Sequence, residues 1–176
     1  ARNVIRSRLR QISEINTEGL DRLKSYIAKK EGIDEARILF GCGSTTILNT
    51  ILELVTPKNI LTPYPVSQRY NAILSWHGVK RVTIPLRADE NFDLAIDDFC
   101  SAMHGCDAAL LPNPHNITGT VISPEETIKI ADEADRLGIN LFIDESYGEY
   151  TGMLSPAVHI SNSNRAMILR TFSTFH

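Results

Sequence analysis

The stretch SPEETIKIADEADRLGINLFIDESY, residues 123–147, holds the clearest fold information in the chain. Ser123 is followed by a proline and, three positions after it, by Glu126, a combination typical of a capped helix N-terminus. The predicted helix runs to about Leu137, where Gly138 ends it. A short apolar strand follows over 140–143, and a carboxylate, Asp144, comes directly after it. A helix leading directly into an apolar strand indicates an α/β fold.

The same alternation continues outward in both directions. Helices are predicted from an N-cap at Thr17 to Gly32, over 45–55, over 66–77 and after a cap at Asp93. Short strands are predicted at 38–40, 59–62, 79–84, 108–111, 140–143 and 166–169. This order predicts a three-layer α/β/α domain with a mainly parallel sheet, whose strands have their carboxyl ends at one edge.

The composition of the chain argues against several classes of protein function. The 176 residues carry a net charge of −3, which offers no support for a nucleic-acid footprint or a polybasic membrane anchor. At 43% apolar and 22% charged residues the chain is typical of a globular protein. No apolar run approaches the roughly 20 residues of a membrane helix. Cys42, Cys100 and Cys106 lack metal-type spacing, so we expect reduced thiols, no metal site and a cytoplasmic location.

Polar residues collect directly after the predicted strands, where ligands of parallel sheets bind. The Gly-Cys-Gly-Ser-Thr stretch over 41–45 is either a simple turn with an N-cap or an anion site at a helix N-terminus. It does not fit the dinucleotide fingerprint, since Thr46 stands where the third glycine would fall. The loop 113–119 is either structural or a clamp for a planar polar ligand.

Asp144 is the most informative of these residues, because an unpaired charge at the edge of a core is costly. An N-cap or a local cation could satisfy its carboxylate. Alternatively, it could pair with the protonated ring nitrogen of a cofactor. Thr171 and Ser173, after the last predicted strand, are either cap hydroxyls or phosphate ligands. The histidines offer no clear acid–base candidate.

Taken in order, four segments resemble the class I/II aminotransferase family of fold-type I pyridoxal-phosphate enzymes. The nearest branches are the histidinol-phosphate aminotransferases and the threonine-phosphate decarboxylases. The resemblance spans about residue 16 to the end. It implies an N-terminal segment 1–15 and a cofactor-binding large domain over 16–176, with the small C-terminal domain absent. Its four segments begin at Gly41, Asn113, Asp144 and Arg170.

The resemblance implies a cofactor, pyridoxal 5'-phosphate, and a role for each matching residue. Asp144 would bind the pyridinium nitrogen and keep it protonated, which makes the ring a better electron sink. Asn116 and Tyr147 would reach the ring hydroxyl. The residues expected near the cofactor phosphate are Gly43, Ser44, Thr45, Thr171 and Ser173.

The chain departs from the family pattern at several points. Ile117 stands where the family usually has proline. The ring-stacking position falls on Ser67 if Tyr70 keeps the family register, and on Tyr64 otherwise. Thr174 occupies the position where the Schiff-base lysine is expected. Either that lysine is replaced, or a cofactor-modified lysine is missing between Ser173 and Thr174.

The expected function is therefore a pyridoxal-phosphate-dependent transfer of an amino group between an amino acid and a 2-keto acid. One alternative is a decarboxylase of a phosphorylated amino acid. The other is a non-catalytic cofactor-fold protein without the lysine. The family resemblance also implies a homodimer acting on small molecules, with no nucleic-acid or membrane partner.

Overall fold

The chain folds as two units, and the first of them contains the first described helix. The computed structural model describes residues 17–174, so the predicted N-terminal segment 1–15 lies outside the described residues. The chain divides between residues 39 and 40 into two compact units. In the first, helix α1 (Thr17–Glu31) is followed by a 3₁₀ turn (Glu35–Arg37). Gly32, with a φ of 69°, follows α1, and the amide of Ile33 donates to the carbonyl of Ala28.

The second unit alternates helices and strands as the sequence predicts. Its helices are α2 (Ser44–Val55), α3 (Gln68–Trp76), α4 (Ile96–Met103), α5 (Pro124–Leu137) and α6 (Ala157–Ile160). Its strands are β1 (Asn59–Tyr64), β2 (Lys80–Pro85), β3 (Ala108–Pro112), β4 (Asn140–Asp144) and β5 (Ala166–Leu169). None of the helices between residues 17 and 174 is long and apolar enough to cross a membrane.

The five strands form one parallel sheet in the order β2-β1-β3-β4-β5. The chain passes from β1 outward to β2 and then returns to the other side of β1 to form β3. The strand order therefore reverses between β1 and β3. At such a reversal the connections leave toward opposite faces of the sheet and open a crevice beyond the carboxyl ends of the strands.

Each face of the sheet carries its own core. Residues of α4, α5 and α6 pack on one face with Leu141 and Ile143 of β4. Residues of α2 and α3 pack on the opposite face with Phe142. Because side chains alternate along a strand, Asp144 points to the same face as Phe142, toward α2 and α3. The predicted three-layer α/β architecture with a parallel sheet is confirmed.

The strand predicted at 38–40 is wrong. Within the described part of the chain these residues pair with no strand, and Leu39 is 87% exposed. Ile38 has extended backbone angles, with a φ of −107° and a ψ of 126°, so the local preference of the apolar run is retained. A strand requires a hydrogen-bonded neighbour, and local sequence does not supply one.

Two predicted element ends also differ. Asp93 does not cap α4, which begins at Ile96 after Ala95 and has no side-chain cap. Strand β1 does not end before Pro63, which pairs with Ile84 of β2. Proline is tolerated there because the pairing of β1 with β3 is already over after Leu61, so this end of β1 has a neighbour on one side only.

The N-terminus of α5 gives the first prediction. The Ser123 hydroxyl accepts a hydrogen bond from the Glu126 amide at 3.2 Å, and the Glu126 carboxylate accepts one from the Ser123 amide at 3.0 Å. Ser123→Ala should therefore lower the free energy of unfolding by about 1 kcal/mol in urea titrations. Ser101→Ala, at an exposed position within α4, is the control and should change it by less than about 0.5 kcal/mol. Equal effects of the two substitutions would contradict the capping role.

Candidate functional site

Asp144 ends β4 at the carboxyl edge of the sheet and is only 3% exposed. Its backbone pairs with Pro112 of β3 on one side and Leu169 of β5 on the other. Its carbonyl accepts a hydrogen bond from the Asn113 amide at 3.0 Å. Strand pairing on both sides therefore fixes the position from which this carboxylate projects.

Four donors surround the Asp144 carboxylate. Oδ1 accepts from the Ser146 amide at 2.8 Å and from the Ser146 hydroxyl. Oδ2 accepts from Nη2 of Arg69 at 2.7 Å and from the hydroxyl of Tyr70. The sequence predicts three ways to satisfy this carboxylate, namely an N-cap, a local cation or a cofactor ring nitrogen; the structure shows a cation, which is Arg69. Hydrogen bonds to charged groups contribute about 1.5–3 kcal/mol each, so this arrangement stabilises a charge that would otherwise be costly to bury.

Tyr70 is a neutral donor to this carboxylate. Its side chain is 1% exposed. Burial, followed by the negative charge of Asp144, raises the pKa of the Tyr70 phenol well above its ordinary value of 10. The phenol therefore keeps its proton at physiological pH and donates it in the hydrogen bond. Tyr70 lies in the first turns of α3, whose N-cap is Ser67.

Arg69 connects Asp144 with the N-terminus of α2. Its Nη1 donates to the Ser44 hydroxyl at 3.3 Å, while Nη2 holds Asp144. Ser44 is buried and is the first residue of α2, after Gly43. Gly43 has a φ of 94°, which favours glycine, and it provides no side-chain cap for the first amides of the helix. The guanidinium of Arg69 thus bridges two predicted site residues, Ser44 and Asp144.

The loop after β3 is held mainly by its own side chains. Asn113 binds Ile122 through both its amide nitrogen and its oxygen, each at 2.9 Å, so it closes the loop. His115 is buried, and its Nδ1 accepts a hydrogen bond from the Thr118 amide at 3.2 Å. Burial lowers the pKa of His115 below its ordinary 6.5, and a hydrogen bond to the backbone of Pro65 offsets this in part. His115 thereby joins this loop to the segment after β1.

Asn116, in the same loop, has an oxygen atom without a partner. Its Oδ1 is buried and accepts no hydrogen bond from any described residue. Thr62 of β1 has a hydroxyl in the same situation, and that residue is 1% exposed. Buried polar atoms in native proteins nearly always have partners, and a ligand is one way to provide them.

The ends of β4 and β5 are joined by a second buried carboxylate. Glu145 Oε2 lies 2.9 Å from both Nε and Nη2 of Arg170, and its Oε1 accepts from the Ser155 hydroxyl at 2.9 Å. The Thr174 hydroxyl donates to the carbonyl of Ser146 at 2.6 Å. Thr174, at the position expected for lysine, is therefore bound to the segment that also supplies a donor to Asp144.

The remaining predicted residues are more exposed. Tyr64 is 56% and Tyr147 42% exposed, and the ring centroids of Tyr147 and Tyr150 are 6.4 Å apart. The hydroxyls of Thr171 and Ser173 lie 2.9 Å from each other. Thr45 is exposed on the first turn of α2, and Ser67 is engaged in capping α3.

Sequence reasoning missed Arg69, the donor role of Tyr70 and the buried hydroxyl of Thr62. No short-range signal could have identified Arg69, since it lies 75 positions from Asp144 along the chain. A basic residue in the first turn of a helix is a weak clue, because a positive charge there opposes the helix dipole and needs a compensating anion.

No lysine occurs between residues 130 and 176. Lys129 pairs with Asp97 at 2.6 Å, on the outside of α4 and α5. The other lysines all precede β3 in the chain; they are Lys24, Lys29, Lys30, Lys58 and Lys80. None of the six lies in the segments directly after β3, β4 or β5, the strands whose ends surround Asp144.

With this geometry described, comparison with known proteins identifies the family. Residues 13–176 match the family described as aminotransferase class I and II, and the chain belongs to that family. The resemblance inferred from the ordered segments is confirmed.

The chain is similar to histidinol-phosphate aminotransferases in sequence and fold. It is 33% identical to the enzyme of Rubrobacter xylanophilus over 160 residues, which cover 87% of this chain and 44% of that protein. The crystal structure of histidinol-phosphate aminotransferase from Clostridium acetobutylicum matches with a TM-score of 0.84 and 25% identity, over 98% of this chain and 51% of that one. The corresponding Sinorhizobium meliloti structure, in complex with pyridoxal-5'-phosphate, matches with a TM-score of 0.83 and 23% identity, over 96% and 47%. The chain thus spans less than half the length of the curated relative.

The lowered pKa of His115 predicts a pH dependence of stability. The unfolded chain takes up a proton near pH 6.5, whereas the folded protein takes it up only at lower pH. The free energy of unfolding should therefore fall as pH drops below about 6.5, with a slope of up to about 1.4 kcal/mol per pH unit from this group. His115→Asn removes the titrating group but keeps an acceptor for the Thr118 amide.

Urea unfolding at a series of pH values tests this expectation. The slope between pH 5 and pH 6.5 should be smaller in His115→Asn than in the wild-type protein, while the two proteins should run in parallel above pH 7.5. Identical slopes at low pH would show that His115 does not contribute.

Proposed function

We propose that this protein binds pyridoxal 5'-phosphate and transfers an amino group between an amino acid and a 2-keto acid. The main observation behind the proposal is that one side chain, Arg69, bridges two groups that could hold the cofactor. Arg69 contacts both the buried Asp144 carboxylate and Ser44 at the N-terminus of α2. A carboxylate suits a pyridinium nitrogen, and a helix N-terminus suits a phosphate. The family membership of the chain supports the same conclusion.

Other residues of the site fit this cofactor. The Asn116 amide has a buried oxygen without a partner, as expected of a group that binds a ligand. Gly43 leaves the first amides of α2 without a side-chain cap, so that they are free of competition for an anion. The set therefore offers a carboxylate, an amide, hydroxyls and a helix N-terminus at one edge of the sheet. These are the partners that a pyridine ring with a phosphate arm requires.

Each residue would have a distinct task. When bound, the cofactor supplies the electron-accepting ring that weakens bonds at the substrate α-carbon. Asp144 holds the proton on the ring nitrogen. Tyr70 and Ser146 fix the orientation of that carboxylate through the hydrogen bonds already described. The remaining contacts are to the ring hydroxyl, from Asn116 and Tyr147, and to the phosphate, from Gly43, Ser44, Thr45, Thr171 and Ser173.

Thr174 favours a second candidate function. Amino-group transfer in this family needs a lysine at this point of the chain, and a threonine has no amine to form a covalent link or carry a proton. Its hydroxyl instead bonds the carbonyl of Ser146 at 2.6 Å. A protein with threonine here would hold the cofactor without covalent attachment, as a binding or regulatory domain.

We infer the remaining properties from sequence and family. The cysteine usage favours the cytoplasm. The family resemblance favours a homodimer that acts on small molecules, with a decarboxylase of a phosphorylated amino acid as the alternative reaction. Analysis of the products distinguishes the two reactions, because only decarboxylation releases carbon dioxide.

Replacement of the anchor carboxylate gives a prediction for cofactor affinity. Asp144→Asn keeps the shape of the side chain but removes its charge, so it should raise the Kd for pyridoxal phosphate about 10-fold to 100-fold. Fluorescence titration measures the Kd. Asp132→Asn is the matched control, because Asp132 is 61% exposed and pairs with His159 instead. An unchanged Kd in the Asp144 variant would contradict the proposed binding mode.

The lysine question has its own test, which uses mass spectrometry of the proteolytic peptide that contains Ser173 and Thr174. The aminotransferase proposal predicts one additional lysine residue between these two residues. It also predicts that borohydride reduction fixes the cofactor covalently to that peptide. A peptide in which Thr174 directly follows Ser173, with cofactor that binds but is never attached, would support the non-catalytic candidate instead.

A further inference from the structure

Arg69 occupies the carboxylate that the cofactor ring nitrogen would use, and it lies beside the proposed phosphate site. Its Nη2 donates to Asp144 at 2.7 Å, at the carboxylate proposed to hold the ring nitrogen. Its Nη2 also donates to the Tyr70 hydroxyl at 3.1 Å. Its Nη1 donates to Ser44 at 3.3 Å, at the helix end proposed to hold the phosphate. A pyridinium N–H and a guanidinium N–H are both cationic donors, so they compete for the same carboxylate oxygen.

The position of Arg69 in its helix is unfavourable without this contact. It is the second residue of α3, after Gln68, where the partial positive charge of the helix N-terminus repels a cation. The other contact, Ser44, is at the N-terminus of α2. The Asp144 carboxylate is therefore the anion that compensates for placing a guanidinium between two helix N-termini.

Arg69 is able to leave, whereas Asp144 is not. The side chain of Arg69 is 37% exposed, and that of Asp144 is 3% exposed and held by strand pairing on both sides. A long side chain on the surface of a helix can rotate outward into water, where its charge is well solvated. Tyr70 and Ser146 would remain on the carboxylate after such a rotation.

From these contacts we propose that Arg69 is an internal competitor of the cofactor ring, which holds Asp144 until the ring nitrogen displaces it. The inference rests on the proposed function. Cofactor binding then exchanges one charged pair for another, so the observed affinity is weaker than the site without Arg69 would provide. In the protein without cofactor, the same pair neutralises a buried carboxylate.

The experiment compares wild-type protein with Arg69→Met, which has similar length, packs in a helix and lacks the charge. The probe is pyridoxine 5'-phosphate, which carries the ring nitrogen and phosphate but no aldehyde, so lysine attachment plays no part. The Kd of Arg69→Met should be about tenfold lower than that of the wild type, the effect of releasing one charge-assisted hydrogen bond. Its Tm without ligand should be lower. Inorganic phosphate, which has no ring nitrogen, should gain no affinity.

A matched control and a second variant complete the test. Arg87→Met is the control, because it removes an ion pair of similar length, 2.8 Å to Asp89, in which both side chains are well exposed. This substitution should change neither the Kd nor the Tm measurably. Arg69→Lys keeps a positive charge, but its single ammonium group cannot contact Asp144 and Ser44 at once, so the Kd should be intermediate. This variant replaces Arg69→Met in the test if the methionine variant folds poorly.

The outcomes separate the two proposals. An unchanged or higher Kd in both Arg69 variants would overturn the competitor role, and a higher Kd would make Arg69 a phosphate ligand instead. If neither the wild type nor the variants bind the probe, the proposed function itself is wrong and the inference falls with it.

Discussion

A carboxylate buried at the end of a strand requires donors and a positive charge, and Asp144 obtains both within its site. The ion pair with Arg69 and the hydrogen bond with Tyr70 come from α3, and Ser146 completes the set from the following loop. Burying such a charge alone would cost several kcal/mol. The contacts with Asp144 therefore hold the N-terminal end of α3 to the sheet, in addition to the apolar packing of that helix, and they set the geometry of the site.

The parallel sheet explains why these groups converge. The strand order reverses between β1 and β3, so the segments after these strands border a crevice. β4, beside β3, brings Asp144 to the same edge. The N-terminus of α2 reaches that edge through the contact of Ser44 with Arg69. The N-terminus of α2, which favours an anion, and the Asp144 carboxylate, which favours a cation, are thus bridged by the Arg69 guanidinium. A cofactor with a cationic ring and an anionic phosphate requires these two kinds of partner.

The sequence predicts the helices and strands well where the residues that determine them are neighbours in the chain. The capping box at Ser123, the glycine after α5 and the strand ending at Asp144 all involve neighbouring residues. The strand at 38–40 was wrong because strand formation depends on a partner elsewhere. Arg69 and Tyr70 could not be found, because their contact with Asp144 spans 75 and 74 positions and depends on how α3 packs on the sheet. The sequence therefore identified the carboxylate but not the groups that satisfy it.

The protonation state of the bound ring tests the central claim most directly. Pyridoxal phosphate labelled with ¹⁵N at the ring nitrogen reports by its NMR chemical shift whether that atom carries a proton. If Asp144 holds the ring nitrogen, the bound cofactor should show a pyridinium shift at pH 8 and keep it as the pH rises further. A shift typical of neutral pyridine at pH 8 would show that the ring lies elsewhere and would contradict the account.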